Sequence, residues 1–283
     1  RSSDLMYERG IGVSIDMASA ATYYRTCLNN EIVGANAAYA LASLQHSGKC
    51  PGAPEETQAL FQLAADAWNA LESPDAYTAL RLASLYERGL GVIQDYGRAS
   101  QLYRSCLADS EYGASAAYSL AEMIRTEKIS AKPEEMHRLY RQAAETWQQK
   151  EQPGTFINMR LARMYQDGLG VEQSFERAAH FYRACLSDPD QGASAAYSIA
   201  EMIRTGKISA KPEEMHRLYR QAAKTWQQLE KPDAFITQRL ARMHEYGLGV
   251  PVDHMQAFKL YRTIASIENP YAAYRAAACL IRS

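Results

Sequence analysis

Apolar residues recur along the chain at the spacing of an amphipathic α-helix, in two alternating kinds of stripe. The first kind, which we call helix A, is clearest at Leu82, Ala83, Leu85 and Tyr86, which share one face at 3.6 residues per turn. The second kind, helix B, follows a short turn. In one copy its apolar positions are Ala99, Leu102, Tyr103, Cys106 and Leu107. The alternation predicts an all-α chain built from helix pairs.

A glycine turn joins helix A to helix B and recurs at a fixed period. It reads Tyr-Glu-Arg-Gly-Leu-Gly-Val at Tyr86–Val92, and related copies begin at positions 7, 165 and 244, which gives a 79-residue period. Such a period is typical of a repeat array. Gly89 can adopt positive φ and end helix A, Gly91 permits close backbone approach, and Val92 is expected to return to the core. Asp95 is placed to cap helix B.

Each 79-residue unit holds two related halves. In the second half, Pro133 and Pro212 fall at the start of helix B, where the missing N–H does no harm. The steps between turn markers alternate between 38 and 41, and the markers are Gly10, Gly48, Gly89, Glu127, Gly168, Gly206 and Gly247. They predict about seven helix pairs in one continuous array over residues 1–283. Because neither end carries a polar capping repeat, we expect a segment of a longer array.

Two of the second halves are nearly identical in sequence. Residues 113–149 match residues 192–228 except at three positions. The differences are Leu120/Ile199, Glu127/Gly206 and Glu145/Lys224. This identity indicates duplication of a whole unit.

Composition narrows the range of partners. The chain has 283 residues and a net charge of −1, which argues against nucleic acid as its main partner. No apolar run approaches the ~18 residues that a membrane-spanning helix needs. Cys27, Cys106 and Cys185 repeat at the same period, each on helix B, where we expect packing thiols too far apart for a disulfide. Cys50 and Cys279 lie outside that series, and no cysteine or histidine has zinc-site spacing.

The segment Leu82–Val92, followed by Asp95, Ala99 and Tyr103, resembles the Sel1-like repeat family, and the same pattern recurs at Leu161–Tyr182. The resemblance covers essentially the whole chain. It implies a right-handed α–α superhelix, or solenoid, similar to tetratricopeptide repeats and acting as a scaffold for protein partners. Family members occur in bacterial envelope and host-interaction proteins and in eukaryotic quality-control adaptors. The second-half turns depart from the family pattern, so a different turn shape is expected there.

Helix A usually lines the concave surface of such solenoids, which makes its polar positions candidate partner-binding residues. Two positions, eight and five residues before each marker, share a face. In first halves they are Arg81, Ser84, Arg160, Arg163, Arg239 and Arg242, and in second halves the nearer position is Glu122 or Glu201. Arg125 and Arg204, one helical turn further on, complete the candidates. One interpretation is an Arg-rich groove for an acidic peptide, since guanidinium groups bind carboxylates well. The other is that Arg and Glu of adjacent repeats pair with each other, which contributes only ~0–1 kcal/mol per exposed pair.

A tyrosine series accompanies these rows along helix A. Its members are Tyr39, Tyr118, Tyr197 and Tyr274. They are either packing residues between repeats or a stacking platform for a partner. His137 and His216, which occupy matching places on helix B, are interpreted as ordinary helix residues.

The sequence predicts a non-catalytic protein-binding scaffold that needs no cofactor and no metal. No Ser-x-x-Lys set, Gly-x-Ser-x-Gly or phosphate loop is present. One alternative is an immunity or inhibitor protein that blocks a toxin enzyme. Another, disfavoured by the missing motifs, is an envelope hydrolase or β-lactam-binding enzyme. The resemblance favours the bacterial periplasm or secretion, while unpaired cysteines also suit the cytoplasm, so the compartment stays open.

Overall fold

The computed structural model describes residues 16–266 and 269–282, where the secondary structure is helical apart from one isolated bridge between Ser266 and Asn269. Fourteen helices follow one another in this part of the sequence. They are α1 (Met17–Cys27), α2 (Gly34–His46), α3 (Pro54–Asn69), α4 (Ala76–Arg88), α5 (Tyr96–Ser105), α6 (Gly113–Arg125), α7 (Pro133–Gln148), α8 (Thr155–Asp167), α9 (Phe175–Arg183), α10 (Gly192–Arg204), α11 (Pro212–Trp226), α12 (Ala234–Tyr246), α13 (His254–Ile264) and α14 (Pro270–Arg282). The predicted all-α class is confirmed.

The helices alternate between types A and B as the sequence predicts. Six complete A–B pairs run from α2–α3 to α12–α13, preceded by the B helix α1 and followed by the A helix α14. Direct packing within a pair is extensive for α2–α3, α4–α5, α8–α9, α10–α11 and α12–α13. The prediction of about seven pairs is confirmed, although the first turn, at residues 7–13 with the marker Gly10, lies outside the described residues.

The protein divides into two compact units, Arg1–Ala143 and Ala144–Ser283, with the boundary inside α7. In the first unit, helices α1 to α4 enclose a core that includes Leu41, Phe61 and Trp68. In the second, α8 to α12 surround Tyr219 and Trp226, and a smaller cluster joins α12, α13 and α14. The prediction of one continuous array over residues 1–283 stays a prediction.

The glycine turn has the conformation that its sequence requires. Gly89 and Gly91 have φ of 66° and 68°, in the left-handed region that favours glycine. The Leu90 N–H donates to the Leu85 carbonyl at 3.1 Å, which satisfies a carbonyl at the end of α4. A Cβ added to Gly91 would lie 2.2 Å from the backbone nitrogen of Gln62, so the predicted close backbone approach is confirmed, and the structure shows that its partner is helix B of the preceding repeat.

The two apolar residues of this turn, Leu90 and Val92, are buried to different extents. Leu90 is buried, while Val92 is only partly buried and packs against the same core. The predicted cap is present, because the Asp95 carboxylate accepts from the Arg98 N–H at 2.8 Å. Helix α5 therefore starts where the sequence places it.

The second-half turns share the first step of the glycine turn and then diverge. Glu127 adopts a φ of 59° and Gly206 one of 69°. The Lys128 N–H donates to the Met123 carbonyl at 2.9 Å, the bond that Leu90 makes in the first halves. Both turns lie wholly within the described residues, and in them no second residue with positive φ follows. The expected difference in shape is therefore confined to the stretch after the marker.

Candidate functional site

Three of the predicted arginines lie on aromatic rings of their own helix. The Arg160 guanidinium carbon is 3.8 Å from the Phe156 ring centroid, and that of Arg239 is 3.7 Å from the Phe235 centroid. Arg81 lies 5.3 Å from the centroid of Tyr77. We call these three pairs the aromatic–arginine rungs. Residues four apart on a helix are neighbours on its surface, which is why each pair meets.

The rungs expose apolar surface that sequence reasoning missed. Phe156 is 60% exposed and Phe235 is 58% exposed. The signal was present, because Tyr77, Phe156 and Phe235 recur at the 79-residue period, each four positions before an arginine of the predicted row. A cation over an aromatic face contributes about 0.5–1 kcal/mol at an exposed site. Modest interactions therefore order the rungs, and the Phe156 and Phe235 rings remain accessible to solvent, whereas Tyr77 is partly buried.

The tyrosines of the helix-A series differ in burial: some pack inside the protein and one is exposed. Tyr118 and Tyr197 are buried, and each packs edge-on against the helix-B tyrosine of its own repeat, with ring centroids 5.7 Å apart. Tyr197 also lies under Arg239, whose guanidinium carbon is 4.5 Å from its ring centroid. Tyr274 is 68% exposed on α14. Packing between helices therefore accounts for Tyr118 and Tyr197 but not for Tyr274.

The two predicted glutamates are held in place by arginine and tyrosine. Glu201 accepts from Arg204 Nε at 3.0 Å and Nη2 at 2.8 Å, and from the Tyr219 hydroxyl. Arg242, from the next A helix, approaches the same carboxylate at 3.3 Å. Burial opposes ionisation of Glu201, but the bonds from Arg204 and Tyr219 and the charge of Arg242 outweigh it. The pKa of Glu201 is therefore below its ordinary value.

Glu122 repeats this arrangement in the first unit. Arg125 donates to it through Nε at 3.1 Å and Nη2 at 2.7 Å, and the Tyr140 hydroxyl donates to the same carboxylate. Burial and the adjacent Glu122 charge raise the pKa of Tyr140 well above its ordinary value. The structure brings Glu and Arg of this row together as networks that tie helix A to helix B.

The two remaining predicted residues occupy one equivalent position of the repeat. Arg163 pairs with Asp167 on its own helix at 3.7 Å, and its side chain is about half-exposed. Ser84, in the matching place on α4, is partly buried. The position therefore carries an arginine in two repeats, at Arg163 and Arg242, and a small polar group in the third.

A second position on helix A also receives a bond from helix B. Glu87 accepts from the Tyr103 hydroxyl at 2.9 Å and from Lys128 Nζ at 3.2 Å. The equivalent Glu245 is buried and accepts from Tyr261 at 3.1 Å and from Arg275. In the middle copy the residue is Gln166, which accepts from Tyr182 at 3.2 Å. We call Glu87, Gln166 and Glu245 the tyrosine-bonded position.

A cavity of about 230 Å³ opens on this face in the second unit. Its walls come from α8, α9, α10 and α12. Its main lining side chains are Gln166, Phe175, Tyr197, Ser198, Glu201, Lys207 and Arg239. It is smaller than the roughly 300–1,000 Å³ of a small-molecule pocket, so its size suits a single side chain.

The cysteines are free thiols that serve packing. Cys106 and Cys185 are fully buried as predicted, whereas Cys27 is only partly buried. Burial raises the pKa of the Cys185 thiol to about 11. Within the described ranges, no cluster of three or more His, Cys, Asp or Glu side chains could hold a metal ion. None of the helices described is both long and apolar enough to cross a bilayer.

Comparison with known proteins identifies the repeat. The family model described as Sel1 repeat matches residues 3–26, 35–67, 76–105, 158–184 and 238–266. A Sel1 repeat protein from Oxalobacter formigenes has a similar structure, with a TM-score of 0.52, 20% identity, and coverage of 83% of this protein and 84% of that one. The structure of c5321, a protective antigen of uropathogenic Escherichia coli with an SLR fold, gives a TM-score of 0.44 at 15% identity, covering 99% and 79%. No curated protein sequence matches this one.

Proposed function

The chain belongs to the Sel1 repeat family, and we propose that it is a non-catalytic scaffold that binds a partner protein through the helix-A face of its repeats. Sel1 repeat proteins generally mediate protein–protein interactions. The observation that carries the proposal for this protein is the set of aromatic–arginine rungs. The proposed face comprises Arg81, Ser84, Glu122, Arg125, Arg160, Arg163, Glu201, Arg204, Arg239 and Arg242, with Tyr77, Phe156 and Phe235 added.

The chemistry of the rungs suits a protein partner. Aromatic residues and arginine are enriched at protein interfaces, and a few such anchors carry most of the binding energy. Phe156 and Phe235 leave more than half of their surface in water, where burial by a partner would be favourable. Each ring is also held by its arginine, so little side-chain freedom would be lost on binding.

The perturbed ionisable groups support a structural role rather than catalysis. Glu122 and Glu201 are each bonded by both an arginine and a tyrosine, which leaves their carboxylates engaged within the protein. The raised pKa values of Tyr140 and Tyr219 follow from burial and from these same glutamates. Structural networks of this kind perturb pKa values without any reaction.

Site-specific photocrosslinking in the native source tests the proposal. The crosslinker p-benzoylphenylalanine would replace Phe156 or Phe235 on the helix-A face, or His216, which is exposed on helix B. We expect the same partner to be crosslinked from both phenylalanine positions and not from His216. Crosslinks formed from His216 alone would place binding on helix B and contradict the proposal.

A further inference from the structure

The three copies of the tyrosine-bonded position differ in charge, and the middle copy leaves a cation without its carboxylate. In the first unit, Lys128 Nζ lies 3.2 Å from the Glu87 carboxylate. Lys207 is the equivalent of Lys128, but the position that it would reach holds the neutral Gln166. Its ammonium lies 5.1 Å from the centroid of the Phe175 ring, as that of Lys128 lies 5.4 Å from the equivalent Tyr96 ring. Lys207 forms no ion pair with any residue that the structure describes.

Arg239 lines the same cavity and likewise forms no ion pair with the residues described. Its guanidinium contacts three rings, with centroids at 3.7 Å for Phe235, 4.5 Å for Tyr197 and 5.8 Å for Trp226. Among the described side chains, no oxygen accepts a hydrogen bond from it. Ring faces leave the N–H groups in the guanidinium plane available for an acceptor.

The one carboxylate in the cavity wall is already neutralised. Glu201 is paired with both Arg204 and Arg242, so one negative charge faces two positive charges before Lys207 and Arg239 are considered. The surroundings of the cavity are therefore net cationic. Opposite charge favours an anionic occupant, and a partly enclosed site screens that attraction less than open solvent does.

We infer that this cavity binds a carboxylate of the partner, which Lys207 and Arg239 contact in place of the glutamate found at the equivalent position of the first unit. The inference rests on the proposed function and names the chemistry of the partner: an acidic segment, docked beside the Phe235 rung. The carboxylate is either an Asp or Glu side chain or a free C-terminus. Gln166 and Ser198 supply polar groups to the same wall.

The test uses random dodecapeptides displayed with free C-termini and selected on the wild-type protein, followed by synthesis of the enriched peptide. The decisive variant is Gln166→Glu, which restores an internal carboxylate for Lys207 as in the first unit. Tyr182 can donate to the introduced carboxylate as Tyr103 does to Glu87, so this variant should fold. Lys207→Gln removes the cation directly. Lys128→Gln is the matched control, since its carboxylate partner is internal.

We expect an acidic consensus, and we expect Gln166→Glu and Lys207→Gln each to raise the Kd of the selected peptide by about ten- to a hundred-fold, the size of one charge-assisted bond. Lys128→Gln should leave the Kd unchanged. Replacing the peptide's acidic side chains by amides, or amidating its C-terminus, identifies which carboxylate is bound. The thermal melting of each variant checks that it is folded.

The outcomes separate this inference from the proposed function. An enriched peptide that binds equally well after its acidic side chains and its C-terminus have all been converted to amides, or one that the wild type and Gln166→Glu bind equally, would overturn the carboxylate site and leave the scaffold proposal standing. If no peptide is enriched and the crosslinks from Phe156 and Phe235 are also absent, both fail.

Discussion

The second glycine of each turn lies close to the preceding helix B, and two Gly→Ala variants can separate the cost of this steric contact from the cost of backbone strain. Gly249 and Gly206 both lie in the second unit and have φ of 71° and 69°. A Cβ at Gly249 would lie 2.5 Å from the Arg220 backbone nitrogen and 2.6 Å from the Tyr219 Cβ, whereas one at Gly206 would meet nothing within 4 Å. Gly249→Ala and Gly206→Ala therefore share the same strain and differ in the clash.

The size of the difference follows from these distances. An L-residue in the left-handed region costs about 1–2 kcal/mol, partly offset by about 0.4–1 kcal/mol from the less flexible unfolded state. Non-bonded carbons prefer separations of roughly 3.5–4.0 Å, so the turn around Gly249 must move by about 1 Å. Overpacking of this kind typically costs about 1–3 kcal/mol. We expect Gly249→Ala to lose that much more free energy of unfolding than Gly206→Ala.

Urea unfolding followed by circular dichroism measures the difference. Because both substitutions lie in the unit Ala144–Ser283, the same transition reports both. With a slope of about 1–3 kcal/mol per molar urea, the Gly249→Ala midpoint should fall clearly below that of Gly206→Ala. Equal losses, within about 0.5 kcal/mol, would show that left-handed strain alone explains the recurring form of the turn, and the argument from close approach would be wrong.

Three further predictions use the same structure. Because Glu127 adopts a φ of 59°, Glu127→Gly should stabilise the first unit by about 0.5–1 kcal/mol and Gly206→Glu should destabilise the second, each measured by urea unfolding. Because the pKa of Glu201 is lower in the folded state, its carboxylate stabilises the fold above the unfolded pKa of about 4.3, and this stabilisation is lost as pH falls through the folded pKa. The unfolding free energies of wild type and Glu201→Gln should therefore converge in acid, and a constant gap would contradict the assignment. Cys27 should react first with a thiol reagent, while Cys185, buried and with a raised pKa, should react only on unfolding.

Features fixed by local geometry could be predicted from the sequence. The left-handed Gly89 and the cap at Asp95 each depend on residues within a few positions, and both are where the pattern placed them. The rungs could also have been predicted, because Phe235 and Arg239 are four residues apart on one helix and this spacing places them in contact.

Features that depend on distances between helices could not be predicted. Arg239 and Arg242 occupy the same predicted row, yet Arg242 reaches Glu201 while Arg239 lies on aromatic rings. Three residues of separation turn the two side chains toward different neighbours. Nothing in the local sequence says which of them meets a carboxylate, because that depends on how α12 packs against α10. Leu90 is buried more deeply than Val92, and this difference also depends on how neighbouring helices pack.

These contacts explain why the second halves of the repeat units keep their sequence while the first halves vary. The near-identical second halves build the same Tyr–Glu–Arg network, at Glu122 in the first unit and at Glu201 in the second. The first halves vary at two positions: the rung aromatic is Tyr77, Phe156 or Phe235, and the tyrosine-bonded position, which is buried at Glu245, changes from Glu to Gln and back to Glu. A network that is fully bonded within the protein tolerates little change, because loss of one partner leaves a partly buried charge unpaired. Exposed rungs carry no such constraint. Differences in partner recognition between these repeats are therefore expected to arise in the first halves, while the second halves that contain Glu122 and Glu201 keep the same network.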